Sequence, residues 1–224
     1  KLESLGVLAG GIAHDFNNFL AAIMGNLSLA RLAVEPGSAL DSTLREAERA
    51  CQRASALTRQ LLAFAKGGAP LKRTIQLSTV IRESVELATR GAALECVISV
   101  APDLWPVEAD EGQIGQVIYN LVLNARQAMP HGGHLEVQAH NVSIVAGTDG
   151  STDMLPLPEG PYVRIQVLDT GPGIAPEHLA KIFDPYFTTK PGGTGLGLAV
   201  VRGIVQRHNG HVTVHSTPGH GTIM

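Results

Sequence analysis

The chain has 224 residues, 44% hydrophobic and 17% charged, with 17 Lys and Arg against 20 Asp and Glu. That balance describes one or two folded domains rather than a disordered chain. The net charge of −3 gives no basic footprint for nucleic acid and too small an acidic excess to imply a basic partner.

The first element in chain order is a long helix. Leu5, Leu8, Ile12, Phe16, Phe19, Ile23, Leu27, Ala30 and Val34 recur at steps of three or four, one apolar helical stripe. Its longest uncharged stretch, Phe16 to Ala30, contains Asn17, Asn18 and Asn26 and is too short to span a bilayer. No membrane contact is expected within this stretch of chain. The sequence opens mid-pattern, so a cytoplasmic piece of a longer protein is the expectation, with any sensor or membrane anchor outside it. Glu35-Pro36-Gly37-Ser38 breaks the helix. A second stripe follows in Leu40, Leu44, Ala47, Cys51, Ala54, Leu57, Leu61 and Phe64, with Arg45, Glu46, Glu48, Arg49, Arg53 and Arg59 on the other face. One hairpin cannot bury both stripes. Two hairpins in a four-helix bundle can, which predicts a homodimer.

Lys66-Gly67-Gly68-Ala69-Pro70 reads as a linker, giving domains of 1–66 and 67–224. Beyond it, helices are predicted over 79–89, 111–129 and 196–208. Strands are predicted over 94–100, 105–108, 135–142, 162–168 and 211–215, with a loop over 146–160. Interleaved helices and strands with hairpin-like pairs fit an α/β sandwich with a mixed sheet better than a parallel Rossmann sheet. Cys51 and Cys96 form no CxxC pair and read as reduced, half-buried thiols. His131, His134, His140, His208, His211, His215 and His220 fit no zinc spacing.

Three segments carry chemistry. Asn120 and Asn124 are four apart on one helix face and can offer carbonyl oxygens to Mg²⁺, which is completed by substrate phosphates. Alone, the pair reads more simply as solvent-facing or capping amides. Asp169-Thr170-Gly171-Pro172-Gly173 follows a strand. Its aspartate can accept from an exocyclic amine, and its glycines admit a flat ring close to the backbone. A tight strand-to-loop turn is the plainer alternative. Gly192-Gly193-Thr194-Gly195-Leu196-Gly197-Leu198 opens an apolar helix, where a backbone nest and a helix N-terminus suit a polyphosphate. It is neither a P-loop nor GxGxxG. Between these, Phe183-Asp184-Pro185-Tyr186-Phe187-Thr188-Thr189-Lys190 reads as a lid whose aromatics close on an apolar patch while Lys190 reaches phosphates.

In this order the pieces resemble the N, G1, F and G2 boxes of the histidine-kinase branch of the GHKL ATP-binding superfamily, over about residues 70–224. The resemblance implies the Bergerat fold, an α/β sandwich holding ATP. It implies that Asn124 binds Mg²⁺ with support from Asn120 and that Asp169 reads the adenine amine. Gly171, Gly173, Lys190, Thr194, Gly195, Leu196 and Gly197 would line the nucleotide. Superfamily members that hydrolyse ATP with water carry Glu at the position of Asn120; an amide cannot act as that general base. A GHKL-type ATPase without a histidine acceptor is therefore the weaker alternative. Many members carry Lys at the position of Gln127, so Arg126 or Lys190 is expected to supply phosphate charge instead. The final strand, at Gly219-His220-Gly221-Thr222-Ile223-Met224, is expected to be cut short.

The acceptor is read from Gly11-Ile12-Ala13-His14-Asp15-Phe16-Asn17-Asn18. His14 and Asn18 flank the apolar stripe, and Asp15 can hydrogen-bond the imidazole. Alone, this reads as a surface His beside a surface Asp. The run resembles the H box of dimerisation and phosphotransfer domains, most like that of CckA-type hybrid kinases. That implies His14 as phosphoacceptor, Asp15 as general base, and Asn18 orienting water in dephosphorylation of a partner response regulator receiver domain.

Overall fold

The computed structural model describes residues 19–48, 50–51, 70–145, 157–190 and 193–224. The chain divides into two compact units, Lys1–Gly68 and Ala69–Met224.

In the first unit, α1 is described over residues 19–32 and α2 over 39–48 and 50–51. The break between them is built by Ser38 and Asp41. Ser38 Oγ accepts from the Asp41 N–H at 3.1 Å, an N-cap contact to the third residue of α2. Asp41 reaches back to accept from the Gly37 N–H at 3.0 Å, where Gly37 has φ +82°. The Asp41 carboxylate also accepts from Arg31 at 3.2 Å and Arg45 at 3.0 Å, and Arg31 bonds Glu48 at 2.8 Å. Leu20 is buried, whereas Phe19, Ile23, Leu29, Leu32 and Leu40 are exposed on the single chain. Among the described residues no helix is long and apolar enough to cross a membrane.

The second unit runs β1 (Arg73–Ile75), α3 (Leu77–Thr89), β2 (Leu94–Val100), β3 (Val107–Ala109), α4 (Glu111–Ala128), β4 (Gly133–Ile144), β5 (Gly160–Asp169), α5 (Pro176–Leu179), α6 (Gly197–Arg207), β6 (His215–Thr217) and β7 (Gly221–Ile223). The main sheet has the order β2-β4-β5-β7-β6; β2 and β4 are parallel and the other neighbours antiparallel. The sheet is thus mixed, as the sequence suggests. β1 and β3 form a separate antiparallel pair.

Helices α3, α4 and α6 form the second layer. α4 is central, contacting both other helices as well as β4 and β5. Ile118 and Val122 of α4, Ile81 of α3, Val201 of α6, and Leu135 and Val137 of β4 are sealed from solvent. Asp110 starts α4, its carboxylate accepting from the Gln113 N–H at 3.0 Å and from the Leu71 N–H at 3.0 Å.

The sequence misplaces one strand. Residues 211–214 have no regular structure, and β6 begins only at His215. Their alternation looks like β, but a strand also needs a hydrogen-bonded neighbour. Here residues 211–214 instead line a cavity of about 1410 Å³ between the helical layer and β5. β7 pairs with the end of β5 at Leu168 and Asp169, and Met224 just after it exchanges backbone bonds with Val167. The strand predicted over 105–108 lies at Val107–Ala109, because Pro106 has no N–H for a ladder.

Candidate functional site

The site is assembled around the C-terminal half of α4. Val117, Ile118, Leu121, Val122 and Ala125 bury one face of this helix. Asn120 is drawn into the same face and is only 7% exposed, with Asn124 one turn on. Their side-chain amides hydrogen-bond to no described residue. Neither amide is sealed from solvent, so both keep polar atoms open to a ligand. The first residue of α6 closes on this point: a Cβ on Gly197 would lie 3.8 Å from Asn124 Nδ2. The Asn124 amide and the unpaired N–H groups of a helix N-terminus therefore converge, a donor and acceptor set that fits a hard cation carrying phosphates.

Asp169 ends β5. One carboxylate oxygen accepts from the Gly171 N–H at 2.8 Å. Burial pushes this carboxyl above the ordinary aspartate range, against the Gly171 and Thr222 N–H groups and the Lys190 charge, which pull it down. Gly171 packs on the end of α4; a Cβ there would stand 3.3 Å from Ala128 Cβ and 3.4 Å from Met129 Cγ. Gly173 has φ +72° and lies against the Thr217 backbone, which leaves no room for a side chain. The next N–H, of Ile174, bonds Ser216 Oγ at 2.8 Å. β6 and β7 thus hold the loop from behind. The sequence reading missed this support, although Thr222 and Ser216 flank the glycine pair Gly219 and Gly221.

The segment before α6 folds back on itself. Tyr186 takes φ 68°, its N–H bonds Gly195 O at 2.9 Å, and Gly195 (φ 65°) abuts the Tyr186–Phe187 backbone. Thr194 Oγ1 accepts from the Leu196 N–H at 3.4 Å. Leu196 itself is fully buried and its carbonyl accepts from the Val200 N–H at 2.9 Å, so it anchors the start of α6 in the core. The aromatics do not share one apolar patch: Phe183 lies under the Arg202 guanidinium at 6.0 Å, Phe187 meets His178 at 5.5 Å, and Tyr186 is exposed.

Lys190 comes back onto α4. Its Nζ lies 3.2 Å from the Asn124 carbonyl and 3.1 Å from Gln127 Oε1. Burial pushes its pKa down while Asp169 draws it up. Arg126 points elsewhere, donating to Ala88 O at 2.7 Å at the end of α3. Asn120, Asn124, Asp169, Gly171, Lys190 and Gly197 are thus gathered around one end of α4. His14, Asp15 and Asn18 lie outside the described residues. The 1410 Å³ cavity is lined by none of the gathered residues. Among the described residues no cluster of three or more His, Cys, Asp or Glu could hold a metal.

Comparison with known proteins gives matches to two domains. Residues 109–224, more than half the chain, match the histidine kinase-, DNA gyrase B- and HSP90-like ATPase family, and residues 4–70 match the His Kinase A (phospho-acceptor) domain. The sensor kinase CckA of Brucella abortus is 40% identical over 99% of this chain, which spans 24% of that protein. The sensor histidine kinase ZraS of Salmonella typhimurium is 35% identical over the whole chain, which spans 45% of it. The chain therefore spans less than half the length of these curated relatives. Full-length ShkA in complex with AMPPNP superposes with a TM-score of 0.70 at 26% identity, over 96% of this chain and 44% of ShkA. Histidine kinase ThkA, solved with the response regulator protein TrrA, shares the fold, with a TM-score of 0.61 at 24% identity over 98% of this chain and 60% of ThkA. The chain belongs to the histidine kinase-, DNA gyrase B- and HSP90-like ATPase family, with a His Kinase A phospho-acceptor domain ahead of the ATPase domain.

Proposed function

We propose that this chain is the core of a sensor histidine kinase that transfers the γ-phosphoryl group of ATP to His14. The bond from γ-phosphorus to the β,γ-bridging oxygen breaks, leaving ADP, and a bond to a ring nitrogen of His14 forms. Asp15 takes the proton from that ring. The phosphoryl group then passes to an aspartate of a response regulator receiver domain, and Asn18 orients water when the phosphorylated regulator is hydrolysed. Relatives named as sensor kinases and the phospho-acceptor domain match support this reading. The run Gly11–Asn18 is read as a CckA-type H box.

The observation that carries the nucleotide half is the pair of amides on one stretch of α4, Asn120 sheltered in its inner face and Asn124 one turn on at the start of α6. Asn124 is the residue to hold Mg²⁺, which neutralises phosphate charge when bound. Asp169 accepts from the adenine amine, and Lys190 meets the phosphates. With an amide at position 120, water has no carboxylate base there, which favours a protein acceptor. The exposed Phe19, Ile23, Leu29, Leu32 and Leu40 supply the apolar surface for a homodimer through the hairpins.

Incubation with γ-labelled ATP and Mg²⁺ tests the reading. Acid-labile label on the protein, absent in His14→Ala, is expected. Phosphate release with no labelled protein would overturn it in favour of a simple ATPase.

A further inference from the structure

Lys190 is a half-buried ammonium held by neutral oxygens. Its three donors have two described acceptors, the Asn124 carbonyl and Gln127 Oε1, and the carboxylate that acts on it, Asp169, does so through its charge rather than a hydrogen bond. Its backbone is fixed as well: the Lys190 N–H bonds Thr188 Oγ1 at 3.1 Å, and its carbonyl accepts from the Gly193 N–H at 3.0 Å. The position it occupies is the last turn of α4, where helix carbonyls favour a cation. Arg126, the other cation on that turn, is committed to Ala88 O.

From this geometry we infer that Gln127 is a positioning residue for Lys190, holding its ammonium beside Asn124 so that the site favours nucleotides with more phosphates. This rests on the nucleotide reading of the site and deepens it. A neutral acceptor suits that task better than a charged group. A carboxylate at 127 would neutralise Lys190, and a second ammonium would repel it across about 3 Å. Gln127 adds no charge beside the lysine, which is opposed only at longer range by Asp169, and leaves one of its donors without a described partner, so that phosphate oxygens complete it. The low-dielectric surroundings that depress the lysine's pKa also strengthen its attraction to a polyanion.

A double-mutant cycle tests this on the full chain by calorimetry with Mg²⁺ and three probes: ATP, ADP and adenosine. Lys190→Ala should weaken ATP about tenfold or more, ADP less, and adenosine less than about twofold. Gln127→Leu should show the same ranking with a smaller loss of about threefold to tenfold. In the Lys190→Ala background, Gln127→Leu should have no further effect on ATP, within about twofold. Adenosine affinity also reports that each variant is folded. Equal losses for all three probes would mean that Gln127 only supports structure and would overturn the inference. So would a Gln127→Leu loss that persists without Lys190. Failure of the unsubstituted chain to bind any of the three would instead overturn the nucleotide reading itself.

Discussion

Asp41 in the hairpin and Asp169 at the end of β5 are both acidic side chains in sheltered places, and their environments push them in opposite directions. Asp41 is 4% exposed and saturated with donors. The Gly37 N–H, acting against desolvation and joined by Arg45 and Arg31, holds its pKa at about 2. Asp169 is raised instead, because burial outweighs the Gly171 and Thr222 N–H groups and the Lys190 charge. A saturated carboxylate has little left to offer a ligand and works as a joint. An under-compensated carboxylate is stabilised by whatever brings it a donor.

The sharpest way to break this contrast is Asp169→Asn. If Asp169 is the adenine reader, ATP affinity should fall about 100-fold, since the amide presents donors where an acceptor is needed. Thermal stability at neutral pH should stay level or rise, because no charge remains to be desolvated. The sign follows from linkage: a carboxyl raised in the folded state destabilises the fold above its folded pKa. Lowering the pH through that value toward the ordinary aspartate value relieves this. The unsubstituted chain should therefore gain some stability across that window and Asp169→Asn should not. Thermal melts from pH 7 to pH 4 with and without the substitution check it. A clear loss of Tm at pH 7 would place Asp169 with Asp41 as a joint.

Asp41→Asn should behave in the reverse manner. The folded pKa of about 2 lies below the ordinary aspartate value. Its stabilising contribution is thus complete above about pH 4 and is lost as the pH falls toward 2. The substitution should lower the helicity of the hairpin at neutral pH, seen by circular dichroism, and flatten the acid end of the stability profile. ATP affinity should change less than about twofold. A nucleotide effect larger than the helicity effect would dissolve the contrast between the two residues.

Much of the second unit was legible in the sequence because its signals are local. β2 was placed at Leu94–Val100 and α4 to within a residue, since alternation and three-to-four spacing are short-range consequences of backbone geometry. The common face of Asn120 and Asn124 follows from the same spacing. What escaped depends on distant partners. The β-like residues 211–214 have no strand to pair with, and β1 and β7, three residues each, carry too little pattern to register. Gln127 looked like a missing cation, yet it is hydrogen-bonded to Lys190 across 63 positions of sequence. Exposed Phe19 and Ile23 show the limit of a stripe argument, since a helical period gives the apolar face but not what covers it. His14, Asp15 and Asn18 stay sequence expectations, lying outside the described residues.

Asp110 lies between the two extremes and yields the smallest expected effect. Desolvation works to raise its pKa, but the N–H groups of Gln113, Leu71 and Gly112 hold it below the ordinary range. It caps α4 and fixes the chain entering the second unit at Leu71, while its own N–H bonds His208 Nε2 at 3.0 Å beyond the end of α6. By the logic of Asp41 it is a joint. Its helix, however, also carries Asn120 and Asn124 about three to four turns further on. Asp110→Ala should therefore cost about 1 kcal/mol, the usual worth of an N-cap. That is a fall in Tm of about 2–4 °C for a unit of this size. Asp110→Asn, which keeps an acceptor for the Gln113 N–H, should recover most of it. ATP affinity should hold within about twofold in both, because a frayed first turn does not propagate into the buried middle of α4. A large loss of ATP binding in Asp110→Ala that Asp110→Asn restores would mean that the cap sets the position of the Asn120–Asn124 face, and joint and site would then be one device.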